Sequence, residues 1–105
     1  MGPTIMNQVE QDTLEKTNRL DEEPSNYKVI FINDAVTPMD FVIEVLQVIF
    51  KHDRPTSESL TMLVHNDGSA VVGVYSFEIA EQKGVESTVL ARNNGFPLQI
   101  KIEKE

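Results

Sequence analysis

The hydrophobic period of the chain changes between Asn33 and Asp40, and this constrains the fold more than any other feature. Before the change, Tyr27-Lys28-Val29-Ile30-Phe31-Ile32 is dense in β-branched and aromatic residues and predicts a strand. After it, Val42, Val45, Leu46, Ile49 and Phe50 recur at three- and four-residue spacing. That pattern predicts a helix from Pro38 to Lys51 with one buried stripe. The junction Thr37-Pro38-Met39-Asp40 has the composition of a helix start. The Thr37 hydroxyl is expected to accept from the Asp40 amide while the Asp40 carboxylate reaches back. Pro38 is expected at the first helical position, where its missing N–H costs nothing. In an ordinary turn Asn33 and Asp34 would only satisfy loop backbone. Gathered at the mouth of an apolar helix, they also form a place to hold a cation.

The rest of the chain repeats this strand-to-helix logic. His52-Asp53-Arg54-Pro55 is expected to end the first helix, because Pro55 disfavours a helical residue before it. Thr56 or Ser57 then caps a shorter second helix, Glu58 to Val64, closed by Asn66-Asp67-Gly68. Ser69 to Tyr75 is apolar almost throughout and is expected to be the central strand. Ser76 caps a third helix, Phe77 to about Arg92, which Gly84 weakens by about 1 kcal/mol against alanine, so packing must hold it. Leu98 to Glu103 alternates, the mark of a sheet with one wet face. The order β-α-α-β-α-β predicts an α+β sandwich, with three helices on one face of a three-stranded antiparallel sheet.

Residues 1–26 read as a flexible, disordered extension preceding a core domain at 27–105. Six acidic residues there face only Lys16 and Arg19, and apolar residues follow no sustained period. A short helix over Val9 to Leu20 is the one element its pattern allows.

The net charge of −8 leaves few cations to neutralise a phosphate backbone, which excludes a nucleic-acid binder and suits a basic or cationic partner. No stretch approaches the roughly 20 apolar residues of a membrane span, and no apolar leader is evident. The absence of cysteine fits a reducing, cytoplasmic setting. Nothing points to a cofactor or a metal: there is no Gly-rich phosphate loop and no His-x-x-x-His pair. Catalytic residues are not expected either. Asp34 and His65 would make a minimal acid–base pair, but no serine sits in a nucleophile elbow. His65, closing the run Leu60 to Val64, reads first as a satisfied structural histidine. It becomes a wall beside Asn33 and Asp34 if the second helix folds back over the first. His52, beside Asp53, reads as solvated.

Several motifs at fixed mutual spacing are similar to the ClpS adaptor family. They are Tyr27-Lys28-Val29-Ile30, Asn33-Asp34, Thr37 to Ile43, Glu44-Val45-Leu46-Gln47, Val64-His65, Gly73-Val74-Tyr75, Glu78 to Lys83, Ala91-Arg92 and Pro97-Leu98. The likeness runs ungapped from Tyr27 to the C-terminus. It implies an adaptor that binds proteins through a destabilising N-terminal residue, Phe, Tyr, Trp or Leu, and delivers them to the ClpAP protease. By position, it implies that Asn33, Asp34 and His65 hold the α-amino group. Ile32, Thr37, Met39, Val42, Thr61, Val64 and Leu98 would line the side-chain pocket, with Met39 as a gate against β-branched residues. Each of these also has an ordinary core reading. Glu78, Lys83 and Val36 would lie on the side that docks the N-terminal domain of ClpA.

Three departures stand out. Ala35 replaces a second aspartate, Thr61 replaces a methionine, and Val36 replaces a common tyrosine. The first two favour an alternative in which the same fold modulates the unfoldase without reading N-termini. A structural domain resembling the C-terminal domain of the ribosomal stalk protein would share the architecture but have no use for the Asn33, Asp34 and His65 cluster.

Overall fold

A computed structural model describes residues 25–105. Residues 1–24 of the expected extension, with the short helix over Val9 to Leu20, lie outside these residues, while Asn26, its last expected residue, begins the first strand. Strand β1 runs Asn26–Ile32, helix α1 Met39–Val48, α2 Arg54–Asp67, β2 Ser69–Ser76, α3 Phe77–Asn93 and β3 Gln99–Lys104. The order is the one periodicity predicts, and the class is α+β with a three-stranded antiparallel sheet.

The strand order corrects one expectation. β1, not β2, is central, pairing Tyr27 with Tyr75 and Phe31 with Ala70 on one side, and Val29 with Ile102 on the other. The apolar run of β2 was a misleading guide because Val71 and Val74 point to the open face, where they are 40% and 41% exposed. The inner face of the sheet carries Val29, Phe31, Ala70 and Val72, which join Phe41, Val42, Val45, Leu46 and Phe50 of the α1 region in one core. β3 alternates as expected. Lys101 and Glu103 form an ion pair, with Lys101 exposed, while Ile100 and Ile102 pack toward α3 against Gly84.

The helix starts differ from the predicted ones, for a common reason: a nearer acceptor wins. The expected capping box at Thr37 and Asp40 does not form. Pro38 is the N-cap in extended conformation, with no side-chain cap bond, and the Thr37 hydroxyl donates to Asp34 instead. α2 begins earlier than Glu58. The Asp53 carboxylate accepts from the Thr56 amide at 2.9 Å, and Pro55 lies in the first turn, where it does not break the helix. Ser76 does occupy the N-cap of α3, without a side-chain bond.

His52, expected in solvent, is half-buried. Its Nε2 lies 2.7 Å from the Val72 carbonyl and its ring stacks on Phe50, pinning the α1–α2 loop to β2. Among the described residues no helix is long and apolar enough to cross a membrane.

Candidate functional site

Three segments meet at one end of the molecule: the loop 33–38 after β1, the C-terminal end of α2, and the stretch 96–98 before β3. The first two are joined where the β1–β2 ladder ends, one residue beyond the Ile32–Ser69 pair. The Asn33 amide donates to the Gly68 carbonyl at 2.9 Å. Gly68 is the C-cap of α2 in left-handed conformation, φ 89°, with its own amide bonded to the Val64 carbonyl. His65 lies in the last turn of α2, three residues before it, and is exposed.

Asp34 is the organiser of the loop. Its Oδ1 accepts from the amides of Val36 at 2.8 Å and Thr37 at 2.7 Å, and its Oδ2 accepts from the Thr37 hydroxyl at 2.8 Å. Partial burial pushes this carboxyl up, but the bonds from Thr37 and Val36, with the charge of Arg92, outweigh it and hold the group below its ordinary value. Asp34 is thus held as an anion. A carboxylate offers about four lone-pair directions, so three internal bonds leave it able to accept again.

The third segment is fixed by a residue whose role the sequence did not announce. Arg92 Nη1 donates to the carbonyls of Phe96 at 2.9 Å and Leu98 at 2.8 Å. Phe96 packs edge-on against Phe41 of α1, centroids 4.9 Å apart. Leu98, its carbonyl held by Arg92, is 1% exposed and belongs to the core.

The remaining residues expected to line the pocket fall into two groups. Val42, Thr61, Val64 and Leu98 are 6%, 3%, 3% and 1% exposed, so each is also part of the packed interior. Met39, 36% exposed at the first position of α1, lies at the surface, while Ile32 and Thr37 are half-buried. Thr61 shares the buried face of α2 with Ser57 and Val64.

Of the residues expected on the docking side, Val36 lies in the capture loop itself, its amide bonded to Asp34, while Glu78 and Lys83 belong to α3. Glu78 is exposed in the first turn of α3, and Val36 is 61% exposed in the loop. Lys83 is different. It is half-buried, and its Nζ donates to the Ile49 carbonyl at 2.9 Å while lying over the rings of Tyr75 and Phe50. The bond gives α1, which has no basic residue in its last turn, a cation at its carbonyl end. A contact spanning so much chain has no signature in local periodicity.

A family model described as ATP-dependent Clp protease adaptor protein ClpS matches residues 22–101. An ATP-dependent Clp protease adapter protein ClpS from Treponema denticola is 49% identical over 82 residues, covering 78% of this chain and 81% of that protein. The protein of that name from Sodalis glossinidius is 49% identical over 81 residues, covering 77% and 76%. Among solved structures, Agrobacterium tumefaciens ClpS2 bound to L-phenylalaninamide is similar with a TM-score of 0.77 and 42% identity, over 79% of this chain and all of that one.

Proposed function

The chain belongs to the ClpS family of Clp protease adaptors, and we propose that it captures proteins by a free N-terminal Phe, Tyr, Trp or Leu and delivers them to ClpAP. Its relatives are named as adapters, proteins that bind rather than catalyse. The observation that carries the proposal is the bond from the Asn33 amide to the Gly68 carbonyl, which draws Asn33 and Asp34 to the end of α2 that bears His65. An α-amino group, with a pKa of about 7.7–8, is mostly cationic at neutral pH and has three N–H donors. Asn33, the anionic Asp34 and His65 supply acceptors for them, each charge-assisted bond being worth about 1.5–3 kcal/mol. The surface residue Met39 and the buried Val42, Thr61, Val64 and Leu98 are the side chains proposed to receive an apolar first residue. Phenylalaninamide, the ligand of the Agrobacterium relative, combines such an amine with such a side chain.

Delivery requires an unfoldase, and the exposed Glu78 in the first turn of α3 and Val36 beside Asp34 are the side chains proposed to meet the N-terminal domain of ClpA. The acidic extension, residues 1–26, is the segment proposed to hand substrate over, in the cytoplasm where ClpAP works. The alternative, an unfoldase modulator that ignores N-termini, is favoured by Ala35, which leaves Asp34 as the one carboxylate in the loop 33–38.

A peptide beginning with Phe or Leu, free or N-acetylated, tests the reading against the wild type and His65→Ala. Capture predicts binding that acetylation abolishes and His65→Ala weakens at least tenfold. Binding indifferent to acetylation would remove the mechanism.

A further inference from the structure

Two hydroxyl groups lie one turn apart on the buried face of α2. Thr61 is 3% exposed and Ser57 is fully buried. Thr61 Oγ1 donates its single hydrogen to the Ser57 carbonyl at 2.8 Å. A hydroxyl has one donor and two acceptor lone pairs, so Thr61 presents acceptor capacity alone to whatever packs against it. Ser57 Oγ has no hydrogen-bond partner among the described residues, an arrangement that native interiors avoid. The buried face of α2 that carries Val64 therefore also carries two hydroxyl groups.

We propose that Thr61 Oγ1 is a hydrogen-bond acceptor at the inner end of the side-chain pocket, and that it makes this chain prefer a tyrosine first residue to a phenylalanine. The inference rests on the N-terminal reading given above. Thr61 precedes His65 by four residues, about 6 Å along the helix axis. That is comparable to the reach of an aromatic side chain from its α-carbon to its para position. A phenol O–H brought there meets a lone pair. The para C–H of phenylalanine meets the same lone pair and leaves it unsatisfied, as do the methyl groups of leucine. Sites built to bond a substrate hydroxyl discriminate against analogues lacking it for this reason. The donor is the element that matters: because the Thr61 hydrogen is already committed to Ser57, a first residue offering only an acceptor gains nothing.

The competing account is that Thr61 merely bonds back to its own helix, as threonines inside helices do, and faces packed side chains. Peptides identical except for Tyr or Phe at position one, each with a free amine and in N-acetylated form, separate the two when titrated against the full chain, Thr61→Val and Thr61→Ser. The wild type should bind the Tyr peptide about three- to tenfold more tightly. The preference should invert in Thr61→Val, which buries the phenol without a partner, and persist in Thr61→Ser, which keeps the acceptor. A Tyr-to-Phe ratio that is the same in all three proteins, or that is lost equally in Thr61→Ser and Thr61→Val, would overturn the acceptor while leaving N-terminal capture in place. Binding that survives acetylation, or no binding of either peptide, would overturn capture itself and the acceptor with it.

Discussion

Lys83 Nζ donates to the carbonyl of Ile49 at 2.9 Å, joining the middle of α3 to the end of α1 across 34 residues of chain. The ammonium also lies 5.3 Å from the ring centre of Tyr75 and 5.8 Å from that of Phe50. Lys83 therefore holds the fold together as well as lying near the proposed docking side.

Replacing Lys83 by Met should lower stability by about 1–2 kcal/mol, from one charged hydrogen bond and its cation–π contacts. Thermal unfolding would show this as a drop of several degrees. Glu78→Gln, by contrast, alters an exposed side chain and should leave the melting temperature within a degree or two while weakening association with the N-terminal domain of ClpA. Equal losses of stability in both variants would refute the distinction.

Asp34 has two jobs that substitution can separate. Asp34→Asn keeps an oxygen for the amides of Val36 and Thr37 but removes the charge. It should cost tenfold or more in affinity for a free N-terminus with little loss of stability. Asp34→Ala removes all three loop bonds and should lower both. Titration of a Phe-initiated peptide beside a denaturant curve for each variant makes the comparison.

The pH dependence has two limbs. Because the Asp34 carboxyl is held below its ordinary value in the folded chain, its contribution to stability is complete above about 4 and is lost as pH falls through the lower folded value. The stability gap between wild type and Asp34→Ala should accordingly be constant from pH 5 to 7 and close below about 4. Peptide affinity should also fall above pH 8, as the ligand's amine loses its proton.

Deleting residues 1–24 should leave the affinity for an N-terminal Phe peptide unchanged, since every proposed contact lies between Ile32 and Leu98. Degradation of the same sequence fused to a folded protein should stop. Equal degradation rates with and without the extension would exclude its role in delivery.

Gly73 bears on the same packing as Lys83. A Cβ added there would lie 2.5 Å from the Tyr75 ring, which crosses the strand two residues on. Gly73→Ala should displace that ring from Lys83 and destabilise the chain by about 1–3 kcal/mol, measurable in urea.

Periodicity alone gives every element of this fold, because burial on one side of a helix or strand imprints its spacing on the sequence. It fails where the deciding interaction is lateral or distant. An apolar run reports what covers a strand's faces, not what bonds to its edges, so β2 looked central although β1 is. The Thr-x-x-Asp pattern at Thr37 is a real capping signal, but Asp34, three residues upstream, offers the Thr37 hydroxyl an anionic acceptor first. Pro55 looked like a terminator because it sits between two helices; Asp53, two residues before it, makes it part of a start. Asn33, Asp34 and His65 could be picked out as polar residues at apolar margins, grouped if the second helix folds back over the first, but the α-amino ligand was implied by resemblance alone. The bond between Asn33 and Gly68 extends the β1–β2 ladder by one step beyond Ile32 and Ser69, and that register is not written in the hydrophobic period of either strand. Arg92 and Lys83 were legible only as members of matched motifs, since their partners are backbone carbonyls, which no side-chain pattern encodes.

The Gly68 carbonyl that receives the Asn33 amide belongs to a residue at φ 89°, a conformation that an L side chain adopts only under strain. The tuning of this site thus extends to a residue with no proposed contact to the ligand. A substitution at Gly68 would be recorded in a screen as a binding defect, though nothing a substrate touches had changed. Anyone transplanting the capture residues onto another scaffold must carry the glycine turn along with them.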